Sequence, residues 1–311
     1  MFSRLGFPIE RRDVWQSLKL AEASLLACVL PVDYLSIAAP RIRRVRDRWT
    51  NHPNQIELIV SRTLSDLISK ERAYEIDFEW RASVLESRMQ IIALHRPYGV
   101  WKPTIKIAGV EHIQRAIQHG SGALLWVSDF VYSSLITKMA FCDAGYEVSH
   151  LSRPEHGFSG TPYGIHVLNP LWTSIEDRYI AERIMIQEGN ATAALEIIRN
   201  RLAANRVVSI TVAGWGRRRV DVPFFNGAVC LATGPAHLSK TSGAPLLPVF
   251  TYRTASGEYS VSIDPPLDTQ VCAESYAPAI RSYVKSLEKH VLAYPGQWNG
   301  WMRCVKRERL L

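Results

Sequence analysis

Three short stretches hold the residues whose types and spacing can do chemistry. "LLWVSDF" (124–130) ends an apolar run abruptly on Ser128 and Asp129. "HLSRPEHGFS" (150–159) gathers His150, Arg153, Glu155 and His156, and "WGRRR" (215–219) sets Arg217, Arg218 and Arg219 side by side. An imidazole oriented by a carboxylate can take a proton from a hydroxyl or amine. A carboxylate whose pKa is raised by burial can act as the base itself. Arginines beside either would hold a phosphate or another anion. The chemistry in view is group transfer to an O–H or N–H acceptor, with Asp129, His156, Glu155 and His150 as candidate catalytic residues. Ser128, Arg153, Arg217 and Arg218 are candidates for binding substrate.

Each of these residues has a structural alternative. Asp129 is a favoured N-cap type and would cap a helix starting near Val131. His156 would serve equally as a loop residue with one structural hydrogen bond. If His156 or His150 is the base, its carboxylate would be Asp129 or Glu155, because neighbouring parallel strands end on the same sheet edge. His150 and Glu155 stand five positions apart, but Pro154 disfavours a helical turn between them. No Gly-x-Ser-x-Gly elbow surrounds Ser128, Ser133 or Ser134, so a serine-hydrolase mechanism is not expected. In "EDRYIAERI", Arg178 and Arg183 fall on different sides of a helix, with Glu176, Asp177 and Glu182 as local partners.

The elements that must position these groups follow from hydrophobic periodicity. Residues 10–96 read as helices, with apolar residues at three- and four-residue spacing. From Lys106 the texture alternates. "IKIAG", "GALLWVS", "YEVSHLS", "RVVSITVAG", "APLLPVFTYRT" and "EYSVSID" read as strands, the last two joined by a turn at Ser256-Gly257. Between them "VEHIQRAIQHG", "FVYSSLITKMAFCDAG" and "NATAALEIIRNRLAAN" read as helices, and "YAPAIRSYVKSLEKHVLAYP" closes the chain. The pattern predicts an α/β fold: a three-layer domain with a mainly parallel sheet flanked by helices, preceded by an N-terminal helical region. The expected division is 1–100 for that helical region and 101–311 for the α/β domain, forming one continuous unit.

In this order the segments resemble the lysophospholipid acyltransferase superfamily, in its branch of late acyltransferases of lipid A biosynthesis. "IKIAGVEHIQRAIQHGSGALLWVSDF" is similar to the segment leading into that family's catalytic motif. "VDVPFFNGAVCLATGPAHLSKTSGAPLLPVFTYR" resembles its Phe-x-Gly segment, with Phe225 and Gly227 as implied substrate-binding residues. "YPGQWNGWMRCVKR" resembles its closing Pro-x-Gln-Trp segment, at Pro295, Gln297 and Trp298. The family motif is His, four residues, then Asp or Glu. It falls here on Asp129 and Ser134, so neither residue type is kept. The resemblance implies transfer of an acyl group from a coenzyme A or acyl carrier protein thioester to a hydroxyl or amine of a lipid or small molecule. It implies no tightly held cofactor. A non-catalytic protein that binds a lipid or acyl carrier is the alternative that the missing motif favours.

Composition narrows the setting. The chain has 311 residues and a net charge of +8, concentrated in "RIRRVRDRW" (41–49) and the C-terminal "MRCVKRERLL". Such blocks suit an acidic carrier protein or anionic lipid; no recognition-helix or base-stacking motif accompanies them, so nucleic acid is not expected. The five cysteines are scattered with no CxxC or Cys/His cluster, so neither a zinc site nor a disulfide framework is expected. Arg, Glu and Asp recur through the first twenty residues, so a cleavable signal peptide is not expected. Residues 20–40 are apolar but broken by Glu22, Pro31 and Asp33, which predicts an interfacial helix pair rather than a membrane span. Trp298 and Trp301 beside Arg303 are a second candidate for the membrane interface. The apolar run "FSGTPYGIHVLNPLW" (158–172) reads as a hydrophobic approach to the site. The expected location is cytoplasmic, peripheral on the inner face of the cell membrane.

Overall fold

A computed structural model describes residues 9–49, 55–96, 101–186, 191–213, 216, 218–269 and 276–306. Five neighbouring strands of a seven-stranded sheet run parallel. They are β2 (Ala123–Val127), β3 (Val148–Ser152), β4 (Glu182–Met185), β5 (Val207–Thr211) and β8 (Leu246–Ala255). With β1 (Thr104–Ala108) and β9 (Glu258–Ile263) the order is β1-β9-β8-β2-β5-β3-β4. β9 returns antiparallel to β8 through the turn at Ser256-Gly257, and β1 lies parallel to β9. The central strands are apolar at nearly every position because both faces of the sheet are covered. Leu124, Trp126, Val208 and Ile210 point into one core, whereas Leu125, Val127, Val207 and Val249 point into the other.

Helices α8 (Ala191–Ala203), α9 (Gly234–Ser242) and α10 (Ala277–Ala293) pack on the first face. α5 (Val110–Gln118), α6 (Ser133–Asp143) and α7 (Asn169–Glu176) pack on the second. The N-terminal region is helical as expected: α1 (Arg11–Val29), α2 (Leu35–Asp47), α3 (Gln55–Thr63) and α4 (Lys70–Ala93). α4 joins it to the α/β body, placing Ala73 and Ile76 in one core and Ile91 in the other. Small residues let α1 approach α4 closely, with Ala23 and Ala27 buried against Met89 and Ala93.

Two features depart from the sequence reading. "EDRYIAERI" is not a helix. α7 ends at Glu176, and Glu182–Met185 adds the edge strand β4 beside β3. The segment is too short and too evenly charged for periodicity to reveal a strand whose pairing is entirely nonlocal. The Phe-x-Gly segment is the tip of a second sheet, built from β6 (Arg219–Phe224), β7 (Gly227–Ala232) and β10 (Cys304–Lys306). Phe224 pairs with Gly227 across a two-residue turn in which Phe225 has φ +50°, a conformation costing about 1 kcal/mol or more. Contacts hold it there: the Phe225 N–H donates to Glu288, the Asn226 N–H donates to the Thr63 carbonyl, and the two phenyl rings stack edge to face.

Gly109 sits between β1 and α5 with φ +81°. A Cβ there would lie 2.0 Å from the Ile263 carbonyl oxygen at the end of β9. Gly109→Ala is therefore expected to destabilise the fold by at least about 2 kcal/mol. A lower urea midpoint at unchanged slope would register it, and an unchanged midpoint would refute the argument.

Candidate active site

The carboxyl end of β2 lies under the C-terminal segment. The Asp129 carboxylate accepts from Arg303 Nη1 at 2.7 Å and Asn299 Nδ2 at 3.2 Å, and its backbone carbonyl accepts the Asn299 N–H at 2.9 Å. Asn299 in turn accepts from the Trp80 indole on α4 at 3.0 Å. The Val131 N–H donates to the Gln297 carbonyl, and Gln297 bonds the backbone of Arg253 through both ends of its amide. Asp129 does not cap α6. That helix begins at Ser133, and Ser133 Oγ accepts the Phe130 N–H instead. Ser128 is fully buried behind Asp129. Trp298 and Trp301, read from sequence as interfacial, are buried too. They pack on Phe224 and on each other, and Arg303 is committed to Asp129.

The loop after β3 makes a different centre. His156 is 30% exposed, and its Nε2 lies 2.9 and 3.0 Å from the two carboxylate oxygens of Glu176. Glu176, at the end of α7, has no exposed side-chain surface. It also accepts from Trp172 Nε1 at 2.8 Å and Arg183 Nη2 at 2.8 Å, with Lys138 Nζ at 3.3 Å. Burial by itself would raise the Glu176 pKa. Lys138, His156 and Arg183 outweigh burial and hold it well below the ordinary glutamate range. The carboxylate is therefore charged at neutral pH, and it fixes His156 with a proton on Nε2 and leaves Nδ1 as the basic nitrogen.

Asn169 and Asp13 set the loop's shape. The Asn169 carboxamide accepts the N–H groups of Phe158 and Ser159 and donates to the carbonyls of Pro154 and Ser159. Asp13, buried on α1, accepts the hydroxyls of Thr161 and Ser159. The run 158–172 is accordingly no open approach. Phe158 is buried against Trp172, and the chain winds through a π-helical turn into α7.

His150 lies inside β3, two residues before its end, and is buried, with Nδ1 2.8 Å from Ser209 Oγ. Burial, reinforced by the nearby Lys138, drives its pKa well below the usual imidazole value, so it is neutral at pH 7. It faces a cavity of about 10 Å³ whose wall includes Ser134, Lys138 and Thr211. That volume is roughly one water molecule. The buried Ser134 hydroxyl has no hydrogen-bond partner there, whereas Lys138 Nζ donates to the Ser134 carbonyl at 2.6 Å.

The candidates are thus sorted. His156 and His150 flank one charged cluster on the α6 side of the sheet. Asp129 shares no hydrogen bond or ion pair with either and belongs to the C-terminal segment. Glu155 pairs with Arg153 at 3.3 Å on the surface, so the partner of His156 is neither carboxylate expected from sequence. Phe225 and Gly227 lie at the hairpin turn. Arg218 is exposed before β6, and Arg217 lies outside the described residues. Among the described residues no group of three or more His, Cys, Asp or Glu side chains is placed to hold a metal ion.

The architecture is thus a mainly parallel, helix-flanked sheet with a histidine–carboxylate centre beyond the end of β3. The chain belongs to the bacterial lipid A biosynthesis acyltransferase family, whose model matches residues 80–304. Among solved structures it is similar to the 1-acyl-sn-glycerophosphate (LPA) acyltransferase PlsC from Thermotoga maritima. The identity is 11% over 91% of this chain and 99% of that one, with a TM-score of 0.38. No curated protein sequence matches it.

Glu176→Gln would leave Lys138 buried without its anion and Arg183 with only the more exposed Asp177, and is expected to cost about 3 kcal/mol at neutral pH. Because the folded pKa is depressed, this stabilisation is complete above about pH 4.3 and fades as pH falls through the lower folded value. Denaturant titrations of wild type and variant should converge in acid. Parallel curves down to that range would contradict the assignment.

Proposed function

We propose that the protein transfers an acyl group from a thioester, carried by an acyl carrier protein or coenzyme A, to a hydroxyl or amine acceptor, with His156 as general base. The observation that carries this reading is the partly exposed imidazole held by a wholly buried carboxylate. In the proposed step Nδ1 of His156 takes the proton of the acceptor as its oxygen or nitrogen attacks the thioester carbonyl. The C–S bond then breaks, and the imidazolium returns the proton to the departing thiolate. Glu176 stabilises the imidazolium formed between the two events and keeps the ring in one orientation. Family membership supports acyl transfer as the class of reaction. The basic surface arginines suit an acidic carrier.

A peripheral position on the cytoplasmic face of the membrane is part of the proposal. Its support is a row of exposed apolar residues along α1: Val14, Trp15, Leu18, Leu25 and Val29. No single helix among the described residues is long and apolar enough to cross a membrane, and α1 and the segment containing α2 are bent by 119° to one another.

The second reading, binding without turnover, is favoured by the ion pair that occupies Asp129, the position where the sequence resemblance places the family's histidine. Labelled acyl-thioesters tested against a panel of hydroxyl and amine acceptors separate the two. His156→Ala should lower kcat by about 10² or more, whereas Asp129→Asn should retain turnover. Wild-type rates in the His156 variant would remove it from the mechanism, and binding with no turnover by the wild type would favour the second reading.

A further inference from the structure

On the far side of α4 from the C-terminal segment, α2 and α4 enclose a groove of about 320 Å³. Its walls are Arg44, Arg48, Tyr74 and Phe78, with Asp47 and Glu75 at the edges. That volume lies at the lower end of ligand clefts. The charges in it are not equivalent. Asp47 is taken up by Arg43 and Arg81 at 2.9 Å each, and Glu75 is held by Arg72 at 3.0 Å. Arg44 lies over the Phe78 ring at 5.7 Å, and neither it nor Arg48 has a carboxylate partner among the described residues. The groove therefore offers two guanidinium groups, preset for an anion, against an aromatic wall.

The surroundings specify where that anion comes from. Val45 is exposed beside Arg44, and Trp49, next to Arg48, is 84% exposed. An acidic protein helix would meet the arginines but would leave an indole and an isopropyl group in water. At a bilayer surface guanidinium groups sit at the phosphates while aromatic and aliphatic side chains enter the interface below them. We propose that the groove between α2 and α4 binds the phosphate of an anionic phospholipid in the bilayer, at a site separate from the His156 centre. The arginine block 41–48 is then divided by function: Arg46 ties α2 to α1 through Glu22 and Arg43 pairs within α2 with Asp47, which Arg81 holds from α4, whereas Arg44 and Arg48 face the headgroup. This inference rests on the membrane-surface reading above and adds to it the lipid class and the residues.

Cosedimentation with vesicles of phosphatidylcholine alone, and of phosphatidylcholine mixed with phosphatidylglycerol, tests it on the full chain. Wild type should prefer the mixed vesicles, and the Arg44→Gln/Arg48→Gln double variant should lose at least about tenfold in affinity for them. Its binding to phosphatidylcholine alone should match wild type. Arg41→Gln, on the same exposed row but outside the groove, should cost less than either groove substitution. An equal loss at Arg41 would mean diffuse charge and overturn the site. Unchanged binding by the double variant would overturn the groove while leaving the membrane reading intact. No vesicle binding by wild type would place the failure in the membrane reading, whereas a Leu18→Ser/Leu25→Ser variant should weaken binding to both kinds of vesicle. Saturation of the arginines by free glycerol phosphate, or by an acidic carrier protein without vesicles, would assign a different ligand. Circular dichroism of each variant keeps misfolding apart from loss of binding.

Discussion

The carboxylate of Glu176 holds four separate pieces of chain together. It reaches His156 on the loop after β3, Trp172 one turn back on its own helix, Arg183 on β4 and Lys138 on α6. An isolated carboxylate with no exposed surface would be neutral, since removing it from water opposes charge. Two cations and an imidazole reverse that tendency, so the same charge that would be costly alone becomes the reason these elements meet at one point. Lys138 shows the reciprocal effect: burial lowers its pKa while Glu176 opposes the shift. The cluster depends most on its anion, because removing Glu176 would leave Lys138 buried and unmatched.

The end of β2 is organised by a second charge pair with a different purpose. Asp129 anchors the C-terminal turn through Arg303 and Asn299, and Trp80 extends the anchor to α4. Strand β10 follows directly and completes the small sheet against β7. A residue at a strand end, where α/β folds place ligand-contacting groups, is used here to fasten the last described segment of the chain. The histidine centre lies instead beyond the end of β3, on a loop shaped by Asn169 and Asp13.

Much of the architecture was legible in the sequence because the central strands are buried on both faces and therefore apolar throughout. β2, β5 and β8 could be found as runs, and the helices between them by their spacing. β4 and the β6–β7 hairpin were not legible: the first is a short charged edge, and the second takes its stability from Thr63 and Glu288, distant in sequence. The site was half visible. His156 could be picked out by type and by its place after a strand. Glu176 was noticed only as a neighbour of Arg183, since a separation of 20 residues through a π-helical turn carries no periodic signal. Trp298 and Trp301 looked interfacial because composition alone cannot tell a buried indole from an exposed one.

Asp13 gives the histidine loop an unusual history. Its contact with Thr161 closes a span of 148 residues, so the first helix leaves the ribosome long before the hydroxyl it must receive. Closing so long a loop costs entropy that no local contact returns. The shape of the loop around His156 accordingly depends on one contact of high sequence separation as well as on the shorter-range bonds of Asn169.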